Sequence, residues 1–364
     1  MSPPLPRSPR LREHGLRIGR FDTGLANAIT DVSGVTVGHV TVWRDEPEPP
    51  EGRGVARTGV TAILPAPADT LVSRPVPAGI AVLNGAGELT GSIAIREWGL
   101  LETPVYLTST HAVGRVYDGA VTAAVAAEPR VGTEDVVIPV VGECDDSWLS
   151  EACVVQVDAA DAGHAVAAAE GGAVREGAVG AGTGMMTKGW KAGIGTSSRI
   201  APSIGTAVGV LVLSNFSPPP GLVMDGVPVG ETLGEPPETT STEAGSCIGV
   251  VAVDAALSAH QLERVARRVG LGLARCGSVA HHGSGEIFVA FAPPGRRERG
   301  EAPIADISDS VLNDVFEAVV DATEEAVLNA LWAAPEVVGR EGRVGHALPH
   351  DAVLELLDRH GRLG

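Results

Sequence analysis

The chain has 364 residues, 44% hydrophobic but only 3% aromatic, so a core of small, closely packed aliphatic side chains is expected. Acidic residues outnumber basic ones 45 to 27, and the net charge of −18 excludes the basic face that nucleic-acid binding needs. Cys144, Cys153, Cys247 and Cys276 show no C-x-x-C spacing, no apolar run is long enough for a membrane span, and Met1 to Arg20 has no apolar leader, so a reducing, cytoplasmic location without membrane partners is expected.

Residues 1–20, rich in Pro and Arg, read as an irregular arm. Residues 27–40 alternate enough for strands around a Gly turn, and 46–54 read as an exposed loop. A short buried strand is expected over 58–65. Residues 79–91 read as a strand and a Gly-rich turn, followed by a helix through 93–98. Residues 104–110 return as a strand, and 113–127 have small-residue helical character. Residues 136–141 read as a strand ending in the acidic run Gly142-Glu143-Cys144-Asp145-Asp146. Acids at a strand end are either solvated or placed for a cation.

A helix is expected over 159–170. Residues 179–185 and 191–199 read as the arms of a Gly-rich hairpin. The first arm carries G-x-G-x-G rather than G-x-G-x-x-G, no helix follows it, and it lacks a phosphate-loop lysine, so nucleotide binding is not expected. Residues 207–213 form a strand ending at Ser214-Asn215-Phe216. Residues 217–245 carry little structure, and loops this long are usually functional or disordered.

Residues 247–253 are an apolar, β-branched strand. Ser258-Ala259-His260-Gln261 is a capping-box pattern, opening a helix with Leu262, Val265, Ala266, Val269 and Leu273 on one face. Residues 281–286 read as a turn into a strand over 287–292. A long helix over 309–334 and a short one over 351–359 complete the chain. Strands and helices interleave without a clear linker, so residues 1–364 are expected to form one layered domain.

At Gly245-Ser246 a small hydroxyl residue opens a core strand directly after a flexible glycine. That hydroxyl could attack the preceding carbonyl, although an isolated Gly-Ser is also an ordinary loop-to-strand junction. Asn215 could donate to a developing oxyanion, and Ser284 with Glu286 could orient a base. A cut before Ser246 would place an α-amino group, with an unperturbed pKa of about 7.7–8.0, beside the Ser246 hydroxyl as a general base. His281 and His282 with Glu286 lack metal-ligand spacing, so no metal is expected. A Ser-His-Asp triad through either histidine stays open, but no G-x-S-x-G elbow surrounds Ser246.

Residues 27–40 (NAITDVSGVTVGHV), 83–91 (LNGAGELTG), 97–108 (EWGLLETPVYLT), 141–149 (VGECDDSWL), 179–185 with 192–199, 210–216 (VLVLSNF), Gly245-Ser246 and 283–286 (GSGE) together resemble the L-aminopeptidase/D-alanyl esterase family, which includes the β-peptidyl aminopeptidases. The segments run in order over nearly all of the chain after residue 15. The resemblance implies an α+β fold, a four-layer αββα sandwich similar to the N-terminal nucleophile hydrolases but with distinct connectivity. It implies self-cleavage between Gly245 and Ser246 into chains 1–245 and 246–364, and a homo-oligomer, a tetramer of processed heterodimers. It also implies Ser246 as nucleophile supported by Ser284 and Glu286, Asn215 in the oxyanion site, and Glu143, with Asp145, facing the substrate's amino group. Some members have an aromatic residue near the active site where this chain has Asp145, which bears on substrate preference.

The expected activity is cofactor-free release of N-terminal residues from short peptides, amino-acid amides or esters through an acyl-enzyme on Ser246. Two alternatives stand beside it. An acyltransferase of the ornithine acetyltransferase type uses Thr after Ala at the cut, unlike Gly-Ser here. A non-catalytic binding protein on the same scaffold would not need an intact set of Ser246, Ser284, Glu286 and Asn215.

Overall fold

A computed structural model describes residues 10–216, 221–236, 245–298 and 300–364. In its first part, β1 (Thr36–Asp45), β2 (Val55–Leu64) and β3 (Val76–Gly85) precede α1 (Ser92–Trp98). Then come β4 (Leu100–Leu101), β5 (Val105–Ser109), α2 (Val113–Ala127), β6 (Val140–Cys144) and α3 (Ala160–Ala167). A short hairpin, β7 (Met186–Thr187) and β8 (Trp190–Lys191), leads to β9 (Ile194–Ala201), β10 (Thr206–Asn215) and α4 (Val229–Leu233). After β11 (Gly245–Val253) come α5 (Ala259–Ala266), α6 (Val269–Arg275), β12 (Ser284–Phe291) and α7 (Asp309–Trp332). The ribbon of β13 (Val337–Val338) and β14 (Val344–Gly345) precedes α8 (His350–Arg359).

The strands form two main sheets, one in the order β1-β2-β5-β6 and one in the order β4-β3-β12-β11-β10-β9. Strands β10 and β11 are apolar on both faces, as strands buried on both sides must be. Val208, Val210, Val212, Cys247, Val251 and Val253 pack toward α5, α6 and α7. The alternate residues Leu211, Leu213, Ile248, Val250 and Ala252 pack into the layer between the sheets. Tyr106, Val116, Ala120, Val141, Ala162 and Ala165 form a third layer under α2 and α3. Four layers, helix–sheet–sheet–helix, result.

Small residues set the layer spacing. A Cβ added at Gly195 of β9 would lie 1.9 Å from the Ala326 carbonyl oxygen of α7, and one at Gly79 of β3 would lie 2.2 Å from the Glu263 nitrogen of α5. Only glycine permits this approach of sheet and helix, in keeping with the aromatic-poor composition. The helix beginning after Ser258 uses the expected capping box, with the Ser258 hydroxyl accepting from Gln261 N–H at 3.2 Å.

Several expected elements are displaced. Over residues 27–35 the backbone makes a 3₁₀ turn, because the Asp31 carboxylate accepts the N–H groups of Ala26 and Ala28; the strand begins at Thr36. The strand expected over 136–141 is β6, shifted to Val140–Cys144, so Glu143 lies within it rather than beyond it. Ser284 and Glu286 likewise belong to β12 and not to the turn before it. The arms expected over 179–185 and 191–199 do not pair with each other: Gly180–Gly182 is a 3₁₀ turn, the hairpin joins Met186–Thr187 to Trp190–Lys191 between them, and Ile194–Ala201 is a sheet strand paired with β10. Between Leu222 and Val229 the long loop contributes Leu222, Met224, Val227 and Val229 to the core. The rest of that reading, at 217–220 and 237–244, lies outside the described residues, as do 1–9 of the N-terminal arm. From Arg10 onward the arm is docked: Leu11, Leu16 and Ile18 are buried.

Candidate active site

Topology brings four strand ends together. Strands β10 and β11 are antiparallel, so the C-terminal end of β10 meets the N-terminal end of β11, with Asn215 opposite Ser246. Strand β12 runs parallel to β11, placing Ser284 beside Gly245, Gly285 beside Ser246 and Glu286 beside Cys247. The end of β3 closes the group, Asn84 lying opposite Glu286. The sequence candidates Asn215, Ser246, Ser284 and Glu286 therefore share one end of three inner strands of the six-stranded sheet.

Strand alternation sorts them by face. Ser246 and Asn215 are in phase with Ile248 and Leu213, which point between the sheets. There the Ser246 hydroxyl meets the Cys144 thiol of β6, and burial holds that thiol far above the ordinary cysteine range. Ser284 and Glu286 are in phase with Phe288 and Ala290, on the helix side. They flank the backbone at Gly245–Ser246 rather than the Ser246 hydroxyl. Ser284 donates its hydroxyl to Glu286 Oε1, while the buried Oε2 has no hydrogen-bond partner among the described residues. Burial raises the Glu286 carboxyl above its ordinary value, and the Ser284 hydrogen bond opposes that shift.

The Asn215 amide is held at both ends: Oδ1 accepts Met186 N–H at 2.7 Å, and Nδ2 donates to the Asp145 carbonyl at 2.8 Å. One amide N–H remains for a further acceptor. The Gly-rich hairpin, which resembled a nucleotide loop only superficially, is the platform for this strand end. Thr187 and Ser214 hydroxyls lie 2.7 Å apart, Lys188 N–H donates to Phe216 O at 3.0 Å, and Ser214 N–H donates to Gly193 O at 2.9 Å. Lys191 Nζ, fully buried, fastens the platform by donating to the carbonyls of Gly182, Met185 and Ala192 at 3.1, 2.8 and 2.6 Å. Burial lowers its pKa to about 7.

Glu143 approaches from the edge strand of the other sheet. Its Oε1 accepts Glu88 N–H at 3.0 Å and its Oε2 accepts the Thr110 hydroxyl. The turn carrying Glu88 lies over the Ser246 edge. A Cβ at Gly87 would sit 3.0 Å from Glu143 Oε1 and 3.4 Å from the Gly285 Cα, and one at Gly285 would sit 2.6 Å from the Ala86 carbonyl oxygen. Burial raises the Glu143 carboxyl above its ordinary value; the Thr110 and Glu88 hydrogen bonds oppose this, and the Asp145 and Glu88 charges add to it. The Asp145 carboxylate is exposed and turned back on Ser147, accepting its N–H at 2.9 Å and its hydroxyl at 3.0 Å. Asp145 thus meets the site through its carbonyl.

Thr110, Cys144 and Lys191 were not among the sequence candidates. Cys144 could have been suspected from its place next to Glu143, but nothing in the sequence marks Thr110 or Lys191. Among the described residues no group of three or more His, Cys, Asp or Glu side chains could hold a metal ion, and no helix is long and apolar enough to cross a membrane.

An αββα sandwich that gathers a hydroxyl, an amide and carboxylates at one end of its central strands has the layering of the N-terminal nucleophile hydrolase fold. Residues 27–345 match the model of peptidase family S58. The β-peptidyl aminopeptidase BapA of Sphingosinicella microcystinivorans is 38% identical over 98% of this chain and 93% of its own. The L-aminopeptidase D-Ala-esterase/amidase of Ochrobactrum anthropi, described as a prototype for the serine aminopeptidases and a variant of the Ntn hydrolase fold, superposes with a TM-score of 0.90 at 36% identity, covering 98% of this chain and 100% of that one. A Burkholderia sp. β-aminopeptidase superposes with a TM-score of 0.88 at 38% identity, covering 97% and 99%. The chain belongs to peptidase family S58 and is a hydrolase of the serine aminopeptidase class. Neither the acyltransferase nor the binding-protein alternative finds support in these relatives.

Proposed function

We propose that the chain is a single domain that cleaves itself between Gly245 and Ser246 and then removes N-terminal residues from short peptides, amino-acid amides or esters. The observation that carries this reading is the register that sets Asn215 opposite Ser246, with Ser284 and Glu286 alongside the same backbone. In the first reaction the Ser246 hydroxyl attacks the Gly245 carbonyl, the C–N bond gives way to an ester, and the nitrogen becomes the Ser246 amine. Water then hydrolyses the ester, leaving a Gly245 carboxylate and a free Ser246 hydroxyl.

In catalysis the new amine takes the hydroxyl proton as Ser246 attacks the substrate carbonyl. The free N–H of Asn215 receives the oxyanion, worth about 2.7–4 kcal/mol for such a donor. The proton passes to the departing amine or alcohol, and water resolves the acyl-enzyme. Ser284 and Glu286 hold the Ser246 amine from the helix side, where Glu286 Oε2 lacks a partner among the described residues. Glu143 takes the substrate's ammonium. The assembly is read as a homo-oligomer of processed heterodimers in the cytoplasm, acting without cofactor, metal, nucleic acid or membrane.

The test is a substrate panel. Two relatives are named for β-peptides or β-amino acids and one for L-amino acids and D-alanine, so the panel holds α-, β- and D-aminoacyl p-nitroanilides with N-acetylated counterparts. Turnover of free-amine anilides and loss of it on acetylation is the expected result. Equal turnover of both sets overturns the recognition by Glu143.

A further inference from the structure

We propose that Thr110 is a positioning residue for amine recognition: its hydroxyl aims the Glu143 carboxylate at the incoming ammonium. This rests on the role of Glu143 given above. Glu143 is only 4% exposed, and its two oxygens are fixed by one donor each. Glu88 N–H comes from the turn after β3, and the Thr110 hydroxyl from the end of β5. A carboxylate held at one oxygen can still swing about its side-chain torsions; held at both, its plane is set. The Glu88 donor is backbone, so Thr110 supplies the hold that side-chain chemistry controls. Thr110 is itself exposed. While donating to Glu143, its oxygen keeps lone pairs that can accept an N–H from the same ammonium.

The hold also governs charge. Glu143 is faced by the Cys144 thiol on its own strand, by Asp145 just after that strand and by Glu88 on the turn. His111, beside Thr110, turns its Nδ1 to the Ala152 carbonyl at 2.8 Å. Burial opposes ionisation of Glu143, and the Asp145 and Glu88 charges add to that opposition. The Thr110 hydrogen bond works against all of them. Without it Glu143 takes up its proton at higher pH, and protonated Glu143 cannot pair with an ammonium. Amine recognition then fails earlier as pH falls.

The experiment compares full-length wild type, Thr110→Val, Thr110→Ser and Glu143→Gln. The readout is the ratio of kcat/KM for alanine p-nitroanilide to that for its desamino analogue, propionyl p-nitroanilide, between pH 5 and 8. Both substrates need the Ser246 amine, so its titration cancels in the ratio. Thr110→Val should lower the ratio about tenfold at pH 7 and move its acid fall up by about one pH unit. Thr110→Ser should match wild type. Thr110→Ala takes the place of Thr110→Val if the valine chain is insoluble. The proposal is overturned if removing the hydroxyl leaves the ratio and its acid fall unchanged, or if Thr110→Ser loses as much as Thr110→Val. If Glu143→Gln keeps the wild-type ratio, the role of Glu143 fails. If Glu143→Gln collapses the ratio and Thr110→Val does not, only the inference about Thr110 fails.

Discussion

Asn215 is fastened at both ends of its amide, so its spare N–H is preorganised rather than free to rotate away. Asn215→Ala should lower kcat by about 10²–10³ with little change in KM, read from steady-state kinetics on alanine p-nitroanilide. Glu143 and Asp145 are separated by one residue but should behave differently. Glu143→Gln should weaken turnover of free-amine substrates by roughly ten- to a hundredfold through a lost charge-assisted contact. Asp145→Ala should change kcat/KM by no more than about twofold, as for an exposed side chain, because its carboxylate serves Ser147. Comparable losses in both variants would place the Asp145 side chain on the substrate. At this scale Ser246 and Asn215 were legible because each is a polar residue at the end of an apolar run. Thr110 was not legible, since its meaning arises only when the end of β5 is set beside β6.

Among the elements, strand β6 shows where local pattern misleads. The run 136–141 looks strand-like, but Pro139 has no N–H for a ladder. Val136 and Ile138 before it are exposed, and the Pro139 carbonyl is taken by the Thr90 hydroxyl at 2.6 Å. Pairing therefore starts at Val140 and carries Glu143 into the sheet. In the Gly-rich region a hairpin was expected with arms at 179–185 and 191–199, but the pairing is confined to 186–191, and its role as a support was not legible because its partners Ser214, Asn215 and Phe216 lie elsewhere in sequence. Lys191→Met keeps the side chain's bulk and removes its donors to three buried carbonyls. The expected cost is about 1–3 kcal/mol in denaturant unfolding, with kcat reduced as the Asn215 platform loosens. Unchanged stability and unchanged kcat would show that the platform does not depend on this ammonium.

For the molecule as a whole, composition and strand pattern gave one layered domain and the family resemblance gave the four layers, whereas the insertion of β11 and β12 between β10 and β3 was not legible. That insertion is what would keep two chains together after a cut at 245. A buried ion cluster adds to it. Glu325 of α7 accepts Arg12 at 2.9 and 2.7 Å, Arg199 at 2.5 Å and Asn27 Nδ2 at 2.6 Å. Burial alone would raise the Glu325 pKa, but Arg12, Arg199 and Asn27 bring it down to about 2. Because the folded value lies below the unfolded one of about 4.3, this stabilisation is complete above about pH 4.3 and is lost as pH falls through about 2. Glu325→Gln should cost about 3–5 kcal/mol in unfolding at pH 7, since the buried Arg199 and the half-buried Arg12 lose their carboxylate. A cost below about 1 kcal/mol would remove the cluster from the account of chain association.

The most direct test of the central claim is a denaturing gel and intact mass of wild-type protein and Ser246→Ala, incubated after folding and assayed on alanine p-nitroanilide. Wild type should separate into residues 1–245 and 246–364 and be active. Ser246→Ala should remain one folded, inactive chain. Wild-type protein that stays a single intact polypeptide while fully active would contradict the claim.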